Sequence, residues 1–379
     1  MKTNISLAIF LILFTQTIHA AQSEYLHNTH LTPRIMGMGG AFTAVADDYN
    51  ALYTNVAGLG FLEEGELNFD IQGMFTPTLF NVQKDLKDAG SNPTAIQTAL
   101  QKYYGEHFAS RVGLAATWAR PTWAVGFKPV DLSIEGDIHG TAGTTVGVQA
   151  NQDSVLQYGK AWFFGATKSF SMGLAPKVVY RVYFEKDLTL FDFVQSSELF
   201  RMSDAQEGLA FDTDIGFMYR VTPPEEGFFK FLKYAKPTFG FAVRNVVDAG
   251  FKTNLHLVGK ETSSITDAKL ERRFDVGTKL ELPEFWVFKP RVMIDARDMG
   301  TRYASLRKST HIGAELLWKA FGWLQGGYRA GISQGYFTLG ASAELSILRL
   351  DVATYSEEIG TSSSPRESRR YIAKLSLDF

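Results

Sequence analysis

The last nine residues, Tyr371-Ile372-Ala373-Lys374-Leu375-Ser376-Leu377-Asp378-Phe379, put Tyr, Ala, Leu, Leu and Phe on one side of an extended chain and Ile, Lys, Ser and Asp on the other. Successive side chains of a strand point to opposite faces, so strict alternation predicts a strand with one apolar and one mostly polar face. The pattern recurs. Phe274, Val276, Thr278, Leu280 and Leu282 alternate with Asp275, Gly277, Lys279 and Glu281, and Leu348, Leu350, Val352 and Thr354 alternate with Arg349, Asp351, Ala353 and Tyr355. Each such segment spans about 9–11 residues, the length a tilted strand needs to cross a bilayer.

Segments of this kind predict strands near 65–76, 108–118, 122–138, 155–169, 172–185, 207–220, 236–250, 270–282, 285–298, 307–319, 321–331, 334–344, 346–356 and 368–379. They number about fourteen, an even count, as a single-chain bacterial barrel requires. Connections after odd-numbered strands are mostly long and those after even-numbered strands mostly short, the asymmetry of extracellular loops and periplasmic turns. Two links depart from it: 221–235, where a short helix is expected between Glu225 and Leu232, and the tight external turn at 332–333. No propeller-length repeat is present, and strands this evenly matched exceed what a soluble sandwich needs. The expected fold is therefore all-β, a transmembrane antiparallel β-barrel.

Composition removes several alternatives. Without any cysteine there is no disulfide framework, thiolate metal site or lipoprotein anchor, and 38 basic against 40 acidic residues leave no basic field for a nucleic acid. No stretch reaches the roughly 18 apolar residues of a transmembrane helix. At the N-terminus, Lys2, an apolar run from Ile5 to Phe14 and the small residues Ala20-Ala21 match a secretory signal peptide, with cleavage expected near Ala20. The chain thus divides into a leader at 1–20, a segment at 21–64 and a barrel at 65–379.

The middle segment carries Gly37-Met38-Gly39-Gly40-Ala41-Phe42, then Val45-Ala46-Asp47-Asp48, Asn50-Ala51-Leu52-Tyr53 and Asn55-Val56-Ala57-Gly58-Leu59. The glycines are a poor phosphate cradle, since no apolar strand precedes them and no Walker lysine follows. They suit tight turns or close approach to a wall. This stretch resembles the N-terminal segment of FadL-like outer-membrane proteins, including the PorV and TraF-like groups. The resemblance implies a hatch that plugs the lumen of a fourteen-strand barrel, with Gly37, Gly39, Gly40, Phe42, Asp47, Asp48, Asn50, Asn55, Ala57 and Gly58 as its motif. The family's Asn-Pro-Ala step stands here as Asn55-Val56-Ala57, so the rigid proline is missing. A second resemblance, to PorV and TraF-like members, covers Arg297 to the end, including Gly327-Tyr328-Arg329-Ala330-Gly331. The terminal Phe379 resembles the signal that barrel-assembly machinery reads.

With apolar faces toward lipid, Asp212, Asp214, Arg244, Asp275, Lys279, Glu281, Arg291, Asp295, Arg297, Arg349, Asp351, Lys374 and Asp378 line the lumen. Both signs interleave, which predicts a structural charge ladder that also anchors the hatch. The strands at 155–169 and 172–185 are expected to bring Tyr158, Trp162, Phe164 and Tyr183 inward, an apolar wall for hatch packing or for a hydrophobic ligand. Ile96, Leu100 and Tyr103 recur at helical spacing in the first external link, which predicts a short helix capping the mouth. The histidines are scattered and neither a His-Glu-x-x-His pair nor a Gly-x-Ser-x-Gly elbow occurs. No enzymatic role, metal or cofactor is expected. The residues and the resemblance leave two functions open: passive uptake of a hydrophobic compound such as a fatty acid as the hatch shifts, or a PorV-like scaffold for a secretion or envelope complex. Expected partners are outer-membrane lipid, the barrel-assembly machinery, and either a hydrophobic small molecule or an envelope protein complex, with no nucleic acid.

Overall fold

A sheet whose apolar face meets hydrocarbon has no water to satisfy a free edge, and the chain removes its edges by closing. The computed structural model describes residues 30–379 apart from 141–143, 166, 196–201, 224–225, 228–231, 267, 302–303 and 362–363. The expected leader, and most of the helix expected between Glu225 and Leu232, lie outside the described residues. Fourteen long strands run in chain order: β1 Glu66–Phe75, β2 His107–Arg120, β3 Trp123–His139, β4 Thr145–Phe164, β5 Phe170–Thr189, β6 Ala205–Arg220, β7 Thr238–Arg244, β8 Arg273–Glu281, β9 Phe288–Met299, β10 Thr310–Phe321, β11 Leu324–Ser333, β12 Tyr336–Leu345, β13 Leu348–Glu358 and β14 Glu367–Asp378. Each pairs antiparallel with its chain neighbours, and β1 closes on β14 in a register from Asn68↔Asp378 to Phe75↔Tyr371. The fold is a closed fourteen-strand antiparallel barrel. A fifteenth, two-residue strand, Ser263–Ser264, lies against β6.

Outside and inside follow the alternation. Phe69, Ile71, Leu350, Val352, Leu375 and Leu377 are exposed on the outer face, whereas Asn68, Asp351, Lys374 and Ser376 beside them are buried. Aromatic pairs flank the short turns at one end: Trp118 with Trp123 at 5.0 Å, Phe321 with Trp323 at 5.7 Å, and Phe164 with Phe170 at 6.1 Å between ring centroids. An apolar belt edged by aromatic rings is the outer surface of an outer-membrane barrel. Among the described residues no helix is long and apolar enough to cross a membrane.

Two stretches read as loop are ordered. β4 begins ten residues before the expected 155 and β5 reaches Thr189, so both have twenty residues and stand above the bilayer. Apart from Ala150, Gln149 to Ser154 are polar on both faces because both faces are out of the hydrocarbon there, and alternation vanishes with the lipid. The first external link holds two helices, α1 Pro77–Ala89 and α2 Pro93–Gln101. The second is the helix expected from Ile96, Leu100 and Tyr103. Asn92 caps it, accepting from the amides of Thr94 at 3.0 Å and Ala95 at 3.2 Å. Ile96 and Leu100 bury against Val82, Phe108, Ile138, Val146 and Leu188, an apolar cluster on the tall ends of β2 to β5.

Candidate functional site: a plugged lumen

Residues 31–60 are buried almost without break inside the barrel. The segment holds its shape through local caps. Thr32 accepts from the Ile35 amide at 3.4 Å at the head of a single helical turn, Pro33–Gly37. Asp48 caps the 3-10 turn Tyr49–Tyr53 by accepting from the Asn50 amide at 2.9 Å, and Asn55 caps the next, Val56–Phe61, through the Ala57 amide at 3.2 Å. Asp48 and Asn55 thus make turns in a region without room for a regular helix. Val56 packs against the wall at Gly159 and Gly173.

The wall receives the plug on glycine. Gly126, Gly159, Gly173, Gly216, Gly240, Gly277, Gly313, Gly331 and Gly340 each sit where an added Cβ would lie 3.0 Å or less from a plug atom. They come one per strand from β3 to β8 and from β10 to β12. At Gly331 the nearest plug atoms are the Gly39 nitrogen at 2.6 Å and the Met38 carbonyl carbon at 2.7 Å. Gly39 itself has φ +66 and would meet the carbonyl oxygens of Ile312 and Ile332, so it is needed both for its backbone angle and for its missing side chain. Gly37 faces Gly340, and Gly58 turns against Ala46 within the plug.

Polar contacts fix the register. The Gly39 amide donates to Thr338 Oγ1 at 3.0 Å, which donates in turn to the Gly37 carbonyl at 3.0 Å. Asp295 Oδ2 accepts from the amides of Phe42 at 2.8 Å and Thr43 at 2.7 Å. Asn55 Nδ2 donates to the Thr43 carbonyl at 2.8 Å and to the Phe217 carbonyl of β6 at 3.1 Å, pinning both halves of the plug. Arg297 donates to the Gly40 carbonyl, and His311 Nδ1 lies 2.6 Å from that of Gly39.

Arg34 is the electrostatic centre. Its guanidinium donates to Glu315 through Nε and Nη2, both at 3.0 Å, and to Asp48 at 2.6 Å, with Asp47 at 3.0 Å. Arg291 reaches Asp47, Arg329 holds Glu315 at 2.9 Å and Asp351 at 3.3 Å, and Arg349 holds Asp351 at 2.9 Å. Four arginines therefore face four carboxylates, a neutral array. Burial by itself raises the Asp47 carboxyl, but Arg34, Arg291 and Lys279 outweigh it and hold the group below its ordinary range. Phe42 lies under Arg34, 5.4 Å from its guanidinium carbon.

On the opposite wall, the Lys128 ammonium of β3 sits 3.9 Å above the Tyr53 ring and donates to His30 Nδ1 at 2.7 Å. Burial first, then the Lys128 charge, lower the His30 pKa, so the ring is neutral, and its Nε2 donates to Asn50 Oδ1 at 2.9 Å. Next to this cluster the wall is irregular. β3 has one residue more than either neighbour between Lys128 and Leu132, and the Pro129 carbonyl is taken by Gln152 at 3.2 Å and Ser154 at 2.8 Å rather than by the ladder. About 10 Å³ of free space remains between plug and wall there.

The expected apolar wall needs correction. Tyr158, Trp162 and Phe164 are roughly half exposed on the outer face, and the lumen side of β4 is Gln157, Gly159 and Ala161. The reason is physical. Where a wall packs on a plug it needs small residues rather than charges, so the polar signature of the lumen is lost and the bulkier lipid face was read as the inner one. Tyr183 does point inward, but it packs with Val155, Val179 and Phe251 above the plug rather than on it. A cavity of about 890 Å³ also lies on the lipid side, over Ala314, Ala330 and Ala341 and rimmed by Tyr328, Leu339 and Tyr371. Phe379 extends the β14 ladder, exchanging backbone bonds with Leu67 at 2.9 and 3.0 Å while its ring stays exposed. Arg34, Glu315, Asp295 and the wall glycines carry the plug contacts, yet no role was expected for Arg34 or Glu315, and the glycines were not grouped. Their signal is one inward glycine per strand.

No protein-family model matches the chain, and no curated protein matches it. Among solved structures, it is similar to the toluene transporter TbuX of Ralstonia pickettii, with 10% identity and a TM-score of 0.48 over 92% of this chain and 98% of that one. It is similar to the toluene transporter TodX of Pseudomonas putida, with 11% identity and a TM-score of 0.46 over 93% and 99%. A FadL homologue of Pseudomonas aeruginosa aligns at 9% identity and a TM-score of 0.45 over 94% and 99%. At these identities the likeness is one of fold alone.

Proposed function

We propose that this chain is a FadL-like outer-membrane barrel for passive uptake of a hydrophobic compound, a fatty acid or one of similar character, admitted as the plug shifts. The observation that carries the reading is the interrupted ladder at Pro129, placed where His30 and Tyr53 of the plug meet Lys128 of the wall. Plug movement at that point opens toward a wall already short of backbone bonds. The plug is held by apolar packing of Ile35, Met38, Phe42, Leu52 and Leu59 as well as by ion pairs and hydrogen bonds, so a shift exchanges both kinds of contact. Cells with and without the gene, given labelled fatty acids and aromatic hydrocarbons, will differ in uptake of at least one class. Identical uptake across the panel sinks the proposal.

A second reading has its own observation. Plug residues 31–60 are buried almost without break, which suits a PorV-like scaffold whose loops or periplasmic turns hold a secretion or envelope complex. Purification in mild detergent then retrieves a stoichiometric protein partner, and its absence counts against this alternative.

Export and assembly belong to the same proposal. The leader is removed near Ala20, and Phe379 is read by the barrel-assembly machinery. The heat-modifiable species in the outer-membrane fraction will lack residues 1–20 by intact mass. Deleting Phe379 will reduce that species severalfold, and an unchanged yield speaks against the signal.

A further inference from the structure

The outer end of β6 is covered by a segment of its own. β7 ends at Arg244 and pairs with β6 only from Ile215 to Arg220, which leaves the upper half of β6 with an unpaired edge. The chain that follows covers that edge. Two residues in the left-handed region, Asn245 at φ +56 and Asp248 at φ +58, turn it, and Asp212 fixes its base by accepting from the amides of Val247 and Ala249, both at 3.0 Å. Leu209 then donates to the Thr253 carbonyl at 2.8 Å, and Ser263 and Ser264 pair with Gln206 and Glu207. Glu207 is fully buried beneath this segment. It accepts from Tyr180 Oη, from Thr262 Oγ1 at 2.5 Å and from the Val258 amide at 3.3 Å.

Inside the mouth the same segment inserts one ring. Phe251 is 1% exposed and lies on bare backbone at Gly208, against Val179 and Ala210, with the Arg181 guanidinium carbon 4.6 Å from its centroid. Asp153 holds Arg181 in place through two bonds of 2.7 Å. The slot is apolar on its sides and cationic on one face, the surroundings an aromatic ring favours.

We propose that residues 249–265 form a displaceable strap latched by Glu207, and that Phe251 fills a slot which the ring of an incoming aromatic hydrocarbon takes over. The strap is a second closure, separate from the plug, and takes the uptake reading as its setting.

The test uses the purified full-length protein and toluene as the probe, with amide hydrogen exchange at Leu209 and Val258 as the readout. Saturating toluene will speed exchange at both in the wild type. Glu207→Ala will raise the rate without ligand about tenfold, the equivalent of roughly one hydrogen bond, and will lower the toluene concentration needed. Because the chain has no cysteine, Gln206→Cys with Ser263→Cys supplies a reversible clamp on an intact Glu207. Oxidation will abolish the toluene response and reduction will restore it. Toluene that leaves exchange unchanged in both wild type and Glu207→Ala overturns the proposal, as does an oxidised clamp that responds like the reduced one. Such a failure alongside intact cellular uptake removes the strap and leaves the uptake reading standing.

Discussion

Replacing Glu315 with alanine will make a nearly silent barrel conduct. Glu315 has no exposed side-chain surface and binds Arg34 from the plug and Arg329 from β11, with Arg291 at 3.7 Å. Its removal leaves four buried arginines facing three carboxylates. Breaking a buried ion pair by deleting one partner typically costs about 3–5 kcal/mol, because the other charge stays desolvated. The array can relieve that cost in only one easy way, since Arg329 is fixed in a strand and Arg34 belongs to the movable segment. Arg34 will therefore leave toward water and take the start of the plug with it. Planar-bilayer recordings will show resolved conductance steps absent from the wild type, and Glu315→Gln, which keeps hydrogen bonding but not charge, will show fewer. A Glu315→Ala barrel as silent and as heat-resistant as the wild type would falsify the role of the Arg34–Glu315 pair in holding the plug.

Gly331→Val will be more damaging still, for a steric reason. The first atom of any side chain there would sit 2.6 Å from the Gly39 nitrogen and 2.6 Å from the Ile312 carbonyl oxygen. Both neighbours are backbone, so no rotamer change relieves the contact. Ordinary overpacking costs about 1–3 kcal/mol, and a contact with nothing free to move exceeds that. The heat-resistant folded form will fall to a small fraction of wild type, or will persist only with the plug expelled and the pore open. Gly73→Ala, in β1 with nothing within 4 Å of the added carbon, is the matched control and will behave as wild type. Equal band-shift transitions and silent bilayers for both variants would show that the wall tolerates a side chain against the plug.

The barrel was legible because lipid imposes a strict rule on every second residue. All fourteen strands lie where the alternation put them; the ends drift where β4 and β5 leave the bilayer and both faces become polar, and at β7, expected over 236–250 but ending at Arg244, where the chain turns away through Asn245. The interior was less legible. Alternation says that two faces differ without saying which is inside, and at Tyr158, Trp162 and Phe164 the usual polar marker had been replaced by Gly159 and Ala161. Pairing across the lumen was harder to see. Arg34 and Glu315 are 281 residues apart in the chain, and nothing local to either marks the other as its partner. Helix α1 went unread because it follows directly on β1 and its apolar side, Leu79, Val82 and Leu86, is only partly buried apart from Val82.

The glycine-lined wall also bears on how such a barrel comes to be built. Glycine weakens a strand, by entropy and by giving neighbours nothing to pack on, and here nearly every strand from β3 to β12 spends an inward position on one. An empty barrel of this sequence would be a poor sheet with a furrow of bare backbone along its bore. The plug lies against the inward glycines of strands β3 to β8 and β10 to β12, and the seam between β1 and β14 closes the sheet around it. The N-terminal segment is then a mandrel around which the sheet is wound. Stopper and wall would melt as one cooperative unit, and moving the stopper with least loosening of the wall falls to places where the winding is irregular, beside Pro129 in β3 and between Ala296 and Met299 in β9.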